Sequence, residues 1–75
     1  MKLSEVEPQD NCCIVDAAEG HVEIQSRLYT LGLFPGVHVR VLRLAPLGDP
    51  MQIKVGNALL SIRRQEADLI QVDKL

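Results

Sequence analysis

A small, mainly β fold, its short strands curled into a partly open barrel, is what this sequence predicts. Three observations carry that prediction. The runs at residues 37–44, 51–55 and 58–63 place apolar side chains at or near every second position, the pattern of half-buried strands. The links between them are rich in residues that stop regular structure: Pro35-Gly36, Ala45-Pro46-Leu47-Gly48-Asp49-Pro50 and Gly56-Asn57. Only Val22 to Leu31 shows helical spacing for more than a single turn, with Ile24, Leu28 and Leu31 at i, i+4 and i+7 on one face.

Taken in order, Met1 to Asp10 is an acidic lead-in anchored by Leu3 and Val6, whose i, i+3 spacing suits one helical turn laid over the barrel edge. Pro8 ends that turn, and Asp10-Asn11 is a turn pair. Cys12 to Ala17 reads as the first strand, with so little alternation that it must be buried on both faces or bend. Val22 to Leu31 is the helix, and nothing before it makes a good N-cap. Gly32 suits the left-handed position after the helix, so Leu33 should fold back on Leu28. Pro35-Gly36 fits the centre of a type II turn. In the second strand Val37, Val39 and Val41 share a face opposite His38 and Arg40, and the phase slips at Leu42 as a β-bulge would make it. Met51, Ile53 and Val55 define the third strand, and Gly56-Asn57 a two-residue II′ hairpin. Ala58, Leu60 and Ile62 give the fourth, residues 64–68 a helical turn, and residues 69–73 the fifth with Ile70 and Val72 inward. Five strands, a helix after the first and a helical turn before the last describe an SH3-like barrel.

Length and charge bound the function. Seventy-five residues, 47% of them apolar, make one small domain spanning 1–75 with a thin core. Only Tyr29 and Phe34 are aromatic. Net charge is −2 and unevenly spread. Glu5, Glu7, Asp10, Asp16, Glu19 and Glu23 face only Lys2 in the first 23 residues, whereas Arg27, Arg40, Arg43, Lys54, Arg63 and Arg64 face only Asp49 in residues 24–64. In a compact fold these two blocks are expected to neutralise each other across the surface. Cys12 and Cys13 are adjacent, point to opposite faces of a strand and have no other cysteine to pair with, which fits a reducing compartment. No leader or membrane-length apolar run is evident, so a cytoplasmic location and no direct membrane insertion are expected.

The strings Leu31-Gly32-Leu33-Phe34-Pro35-Gly36 and Ala45-Pro46-Leu47-Gly48-Asp49-Pro50 occur together with Leu59-Leu60-Ser61-Ile62-Arg63, Glu66-Ala67 and Ile70-Gln71-Val72. In that combination the chain resembles the FeoA family from about residue 12 to 73. Where the family usually has a glycine before the first strand, this chain has Asp10-Asn11, an equivalent turn pair. The resemblance implies an SH3-like domain of bacterial ferrous iron uptake whose partner is FeoB, the membrane transporter with a cytoplasmic GTP-binding region. It also implies kinship with the C-terminal domain of iron-dependent repressors.

Chemistry read from the residues themselves is sparse. No nucleophile–base arrangement or phosphate-cradling glycine loop is present, so no enzyme activity and no cofactor are expected. Cys12, Cys13, Asp16, Glu19, His21 and His38 lack the spacing of a metal-ligand pair, and no metal site is assigned, although a metal-sensing module is the alternative reading. A nucleic-acid-binding barrel is disfavoured, because stacking needs exposed aromatics and the flanks are acidic. Protein binding has a physical handle: Leu33 and Phe34 follow a helix stop, and Leu47 stands at a loop tip between Pro46 and Gly48. With Arg43 and Asp49 as a polar rim, these five are the candidate partner-contact residues, the competing role of Leu33 and Phe34 being to cap the barrel. Self-association is left open.

Overall fold

The computed structural model describes residues 1–75. Its elements are a 3-10 turn at Leu3–Glu5, β1 (Asn11–Ala17), α1 (Val22–Thr30), β2 (His38–Leu44), β3 (Met51–Val55), β4 (Ala58–Ile62), α2 (Arg64–Ala67) and β5 (Ile70–Lys74). The strands form one antiparallel sheet in the order β4-β3-β2-β1-β5. Every expected element is present, with ends displaced by a residue or two.

The bends that curl the sheet come from two places where the strand register slips. In β2 the pairing steps from Val41–Ile53 to Arg43–Gln52, leaving Leu42 as the extra residue. A bulge strengthens the local twist and leaves its own polar groups without ladder partners. Gln9 supplies one: its side-chain amide donates to the Leu42 carbonyl at 2.9 Å, while its Oε1 accepts from Arg40 at 2.9 Å. Gln9 does so from a left-handed φ of 76°. In β1 the pairing with β5 steps from Ile14–Val72 to Asp16–Gln71, so Val15 is skipped and stands exposed. This is why β1 shows no clean alternation in sequence: it bends.

The end of α1 is built as its residues predict. Gly32 takes φ +90°, its N–H donates to the Tyr29 carbonyl at 3.0 Å, and the Leu33 N–H donates to the Leu28 carbonyl at 2.9 Å. These are the two hydrogen bonds of a Schellman cap, and Leu28 and Leu33 are both fully buried beneath it. The Val37 N–H then closes the turn on the Phe34 carbonyl, with Gly36 at φ +93°. One expectation fails here. Leu31 is not part of the buried helical face: it is the C-cap and is exposed, because Leu33 occupies the core position beside Leu28.

The core holds sixteen buried residues, none of them polar or charged, drawn from all five strands, α1, α2 and the lead-in. The lead-in seals one sheet edge. Leu3 and Val6 are buried, Lys2 bridges Gln71, and the Met1 ammonium and carbonyl both bond to the Val72 backbone. Glu66 ties the two helices, its carboxylate pairing with Arg27 while also accepting from the Arg63 N–H. No helix is long and apolar enough to cross a membrane.

Candidate interaction surface

The five candidate contact residues do not converge. Leu33 is a correction: it is 0% exposed, drawn inward by the Schellman cap, and takes no part in a surface. Phe34 is 45% exposed and lies edge-on to Tyr29, with ring centroids 6.1 Å apart. It precedes β2, whereas Arg43, Leu47 and Asp49 lie at or beyond the other end of that strand. All seven residues of β2, roughly 20 Å of chain, lie between Phe34 and Leu47. Leu47 is 93% exposed at the tip of the β2–β3 loop. Asp49 steadies that loop, its carboxylate accepting from the Arg64 N–H at 3.1 Å. A leucine tip on an anchored loop is thus one apolar feature, and the Phe34–Tyr29 corner is another.

A third feature lies on the outer face of β2, β3 and β4. Alternation buries Met51 and Ile53 and turns Gln52, Lys54, Leu59 and Ser61 outward. Leu42, Gln52, Leu59, Leu60 and Ser61 line a groove of about 100 Å³, and Leu59 is 71% exposed. The register places Arg40, Lys54 and Leu59 in one row across the sheet, and Arg43, Gln52 and Ser61 in the next. Beside the first row is a hollow of about 290 Å³ lined by Asn11, His38, Val39, Arg40, Lys54 and Gly56. The sequence carries a signal for this face: the alternation that sends Ala58, Leu60 and Ile62 toward the barrel leaves Leu59 outside.

No ion pair joins the acidic block to the basic one. The two salt bridges are Arg27–Glu66 and Lys74–Asp10 at 3.0 Å, and neither joins the acidic first 23 residues to the basic middle block. Arg40, Arg43, Lys54, Arg63 and Arg64 have no carboxylate in ion-pair range of their side chains. Strand order keeps Lys54 on β3 apart from the acids of the lead-in, β1 and α1, while on β2, which neighbours β1, Arg40 bonds Gln9 instead of a carboxylate.

The residues weighed as metal ligands or nucleophiles stay apart. No three His, Cys, Asp or Glu side chains come together at a spacing that would hold a metal ion. His21 and His38 are exposed. Cys12 is fully buried, its thiol donating to the Val39 carbonyl at 3.5 Å. Burial, and secondarily the neighbouring Cys13, pushes the Cys12 thiol up to about 11, so it is a protonated core group at neutral pH.

Comparison with known proteins matches this geometry. The FeoA domain model covers residues 1–74. The chain is 33% identical over 73 residues to the "Fe(2+) transport protein A/Fe(2+) transporter FeoB fusion protein" of Porphyromonas gingivalis, matching 97% of its own length and 8% of that relative's. Its fold superposes on the solution structure of FeoA from Chlorobium tepidum with a TM-score of 0.89 at 41% identity, covering 100% of this chain and 70% of that one. Zinc-complexed Stenotrophomonas maltophilia FeoA, described as a procaryotic SH3 domain protein, gives 0.83 at 30% identity, over 97% of this chain and 89% of that one. A manganese-dependent transcriptional repressor shares the fold alone, with a TM-score of 0.89 at 15% identity over 100% of this chain and 41% of that one. The chain therefore belongs to the FeoA domain family, a mainly β, SH3-like barrel of five antiparallel strands.

Proposed function

We propose that this chain is a non-enzymatic accessory module of bacterial ferrous iron uptake, acting as a single unit in the cytoplasm. It docks on the cytoplasmic GTP-binding region of a FeoB-type transporter and regulates it. The observation that carries this reading is the fused relative, in which a domain matching 97% of this chain is joined covalently to the transporter. Fusion raises the effective concentration of two parts that work together, and separate chains must replace it with a binding surface. The apolar loop tip at Leu47, with Arg43 and Asp49 beside it in the chain, offers one contact, and the Phe34–Tyr29 corner offers a second, separate one.

Pull-down on the FeoB cytoplasmic domain tests it. Wild type is expected to be retained, with Leu47→Asp or Phe34→Asp reducing retention at least fivefold while staying folded. Full retention of both variants would remove these two contacts, and no retention of wild type on any FeoB region would remove the docking reading. A metal-sensing role is favoured by one observation, the zinc complex of the Stenotrophomonas relative. Anaerobic Fe²⁺ titration decides between them: affinity no better than millimolar, unchanged in His21→Ala and Asp16→Ala, supports docking alone.

A further inference from the structure

The two edges of the sheet are treated differently. The β5 edge is covered by Met1 and Lys2, whereas β4 pairs with β3 alone and has no strand on its other side. The hairpin register makes Val55–Ala58, Ile53–Leu60 and Met51–Ile62 the hydrogen-bonded pairs, so the N–H and C=O groups of Leu59 and Ser61 point away from β3. No turn, loop or cap bond takes them up. Proteins usually blunt such an edge with lysine, proline or a bulge. Ala58-Leu59-Leu60-Ser61-Ile62 carries no charge and no proline, and its pairing with β3 is regular.

We propose that the β4 edge takes up an extended segment of another protein, which adds a sixth strand and presents an apolar side chain flanked by carboxylates. This deepens the docking reading by naming the chemistry of the segment that docks. Backbone bonds to Leu59 and Ser61 supply the pairing, and side chains at alternate positions supply the choice of partner. The apolar side chain enters the groove of Leu42, Leu59 and Leu60, whose volume of about 100 Å³ suits one aliphatic group. With the apolar side chain opposite Ser61, the alternate positions on either side fall opposite Leu59 and Arg63, so one carboxylate lies on the row of Lys54 and the other beside Arg63.

Charge selects this occupant. Arg40 and Lys54 are direct cross-strand partners, and like charges so placed repel. No carboxylate lies within ion-pair range of either, so an incoming carboxylate on the row of Lys54 relieves a repulsion the fold itself leaves standing. A second copy of this chain paired through β4 would instead bring another Lys54, Arg63 and Arg64 against the first set. Single-stranded nucleic acid would find no stacking platform here, because no aromatic side chain belongs to β4 or lines the groove.

The test uses the 75-residue chain and a synthetic nine-residue peptide with glutamate, leucine and glutamate at alternate central positions and threonine elsewhere. At saturation the Leu59 and Ser61 amides are expected to exchange with solvent at least tenfold more slowly. The same peptide with lysine for glutamate is expected to bind at least tenfold more weakly. Ser61→Pro removes an outward N–H without touching the β3 ladder, and is expected to weaken the acidic peptide tenfold while remaining folded. Lys54→Glu is expected to do the same through charge. Unchanged exchange at Leu59 and Ser61 with millimolar peptide would overturn the proposal. So would equal binding of the two peptides, dimerisation through β4, or protection of those amides by an oligonucleotide instead. Transporter binding undiminished by Ser61→Pro overturns this edge and leaves docking intact. Peptide capture at the edge with no transporter binding upholds the edge and removes the docking reading.

Discussion

Gly32 is held at φ +90° in open space, with no atom near enough to clash with an added methyl group. Any penalty on substitution is therefore conformational rather than steric. Gly32→Ala is expected to cost roughly 1–2 kcal/mol, seen as a lower urea midpoint with an unchanged slope. Cys12 gives a residue-scale prediction of a different kind. Its thiol is raised from 9.0 to about 11 by burial and by Cys13. Below about pH 9 the folded and unfolded chains both hold the proton, and the group contributes nothing to pH dependence. Between about 9 and 11 the unfolded chain releases it while the folded chain keeps it, so stability falls as pH rises. Cys12→Ala should flatten that alkaline fall in urea titrations. At pH 8 an aromatic disulfide reagent should modify the half-buried Cys13 and leave Cys12 until the chain unfolds.

Elements in this fold are shaped by local chemistry, and the β2 bulge shows how far such chemistry is readable. Gln9 spans it, bonding the Leu42 carbonyl and Arg40 from a left-handed backbone. Gln9→Gly loses both bonds but relieves the backbone, whereas Gln9→Ala loses the bonds and keeps the penalty. The alanine variant should therefore be less stable than the glycine variant by about 1 kcal/mol, measured by urea denaturation. The bulge itself was legible, because Leu42 and Leu44 break a valine alternation one residue out of phase. So were the Gly32 cap, the Pro35-Gly36 turn and the inward faces of β3 and β5, each set by residues adjacent in sequence. Leu31 was misplaced because helical spacing cannot tell that the chain turns back and fills the site with Leu33. Sequence alone groups the five contact residues into one patch, because it gives the order of the two loops and not the span of the strand between them. Burial removes Leu33, and the length of β2 sets Phe34 apart from Leu47 and Asp49.

At the scale of the whole molecule, the design is an economical core with an asymmetric exterior. Sixteen apolar residues hold 75 together, and ordinary stability for this length is about 4–11 kcal/mol. Leu33→Ala, which opens a cavity beneath the α1 cap, is expected to remove about 2–5 kcal/mol and leave a chain partly unfolded at room temperature. Leu47→Asp, at a loop tip 93% exposed, is expected to shift stability by less than about 0.5 kcal/mol. That contrast makes Leu47→Asp a clean probe of binding. Outside the core, the closed β5 edge, the open β4 edge and the unpaired cations of β2 and β3 turn one side of the barrel toward a partner. The most direct measurement is a calorimetric titration of the FeoB cytoplasmic domain with this chain. The account predicts saturable one-to-one binding that Leu47→Asp weakens at least tenfold at unchanged urea midpoint; no binding up to about 100 μM, where even a weak specific complex of roughly −6 kcal/mol would begin to show, contradicts it.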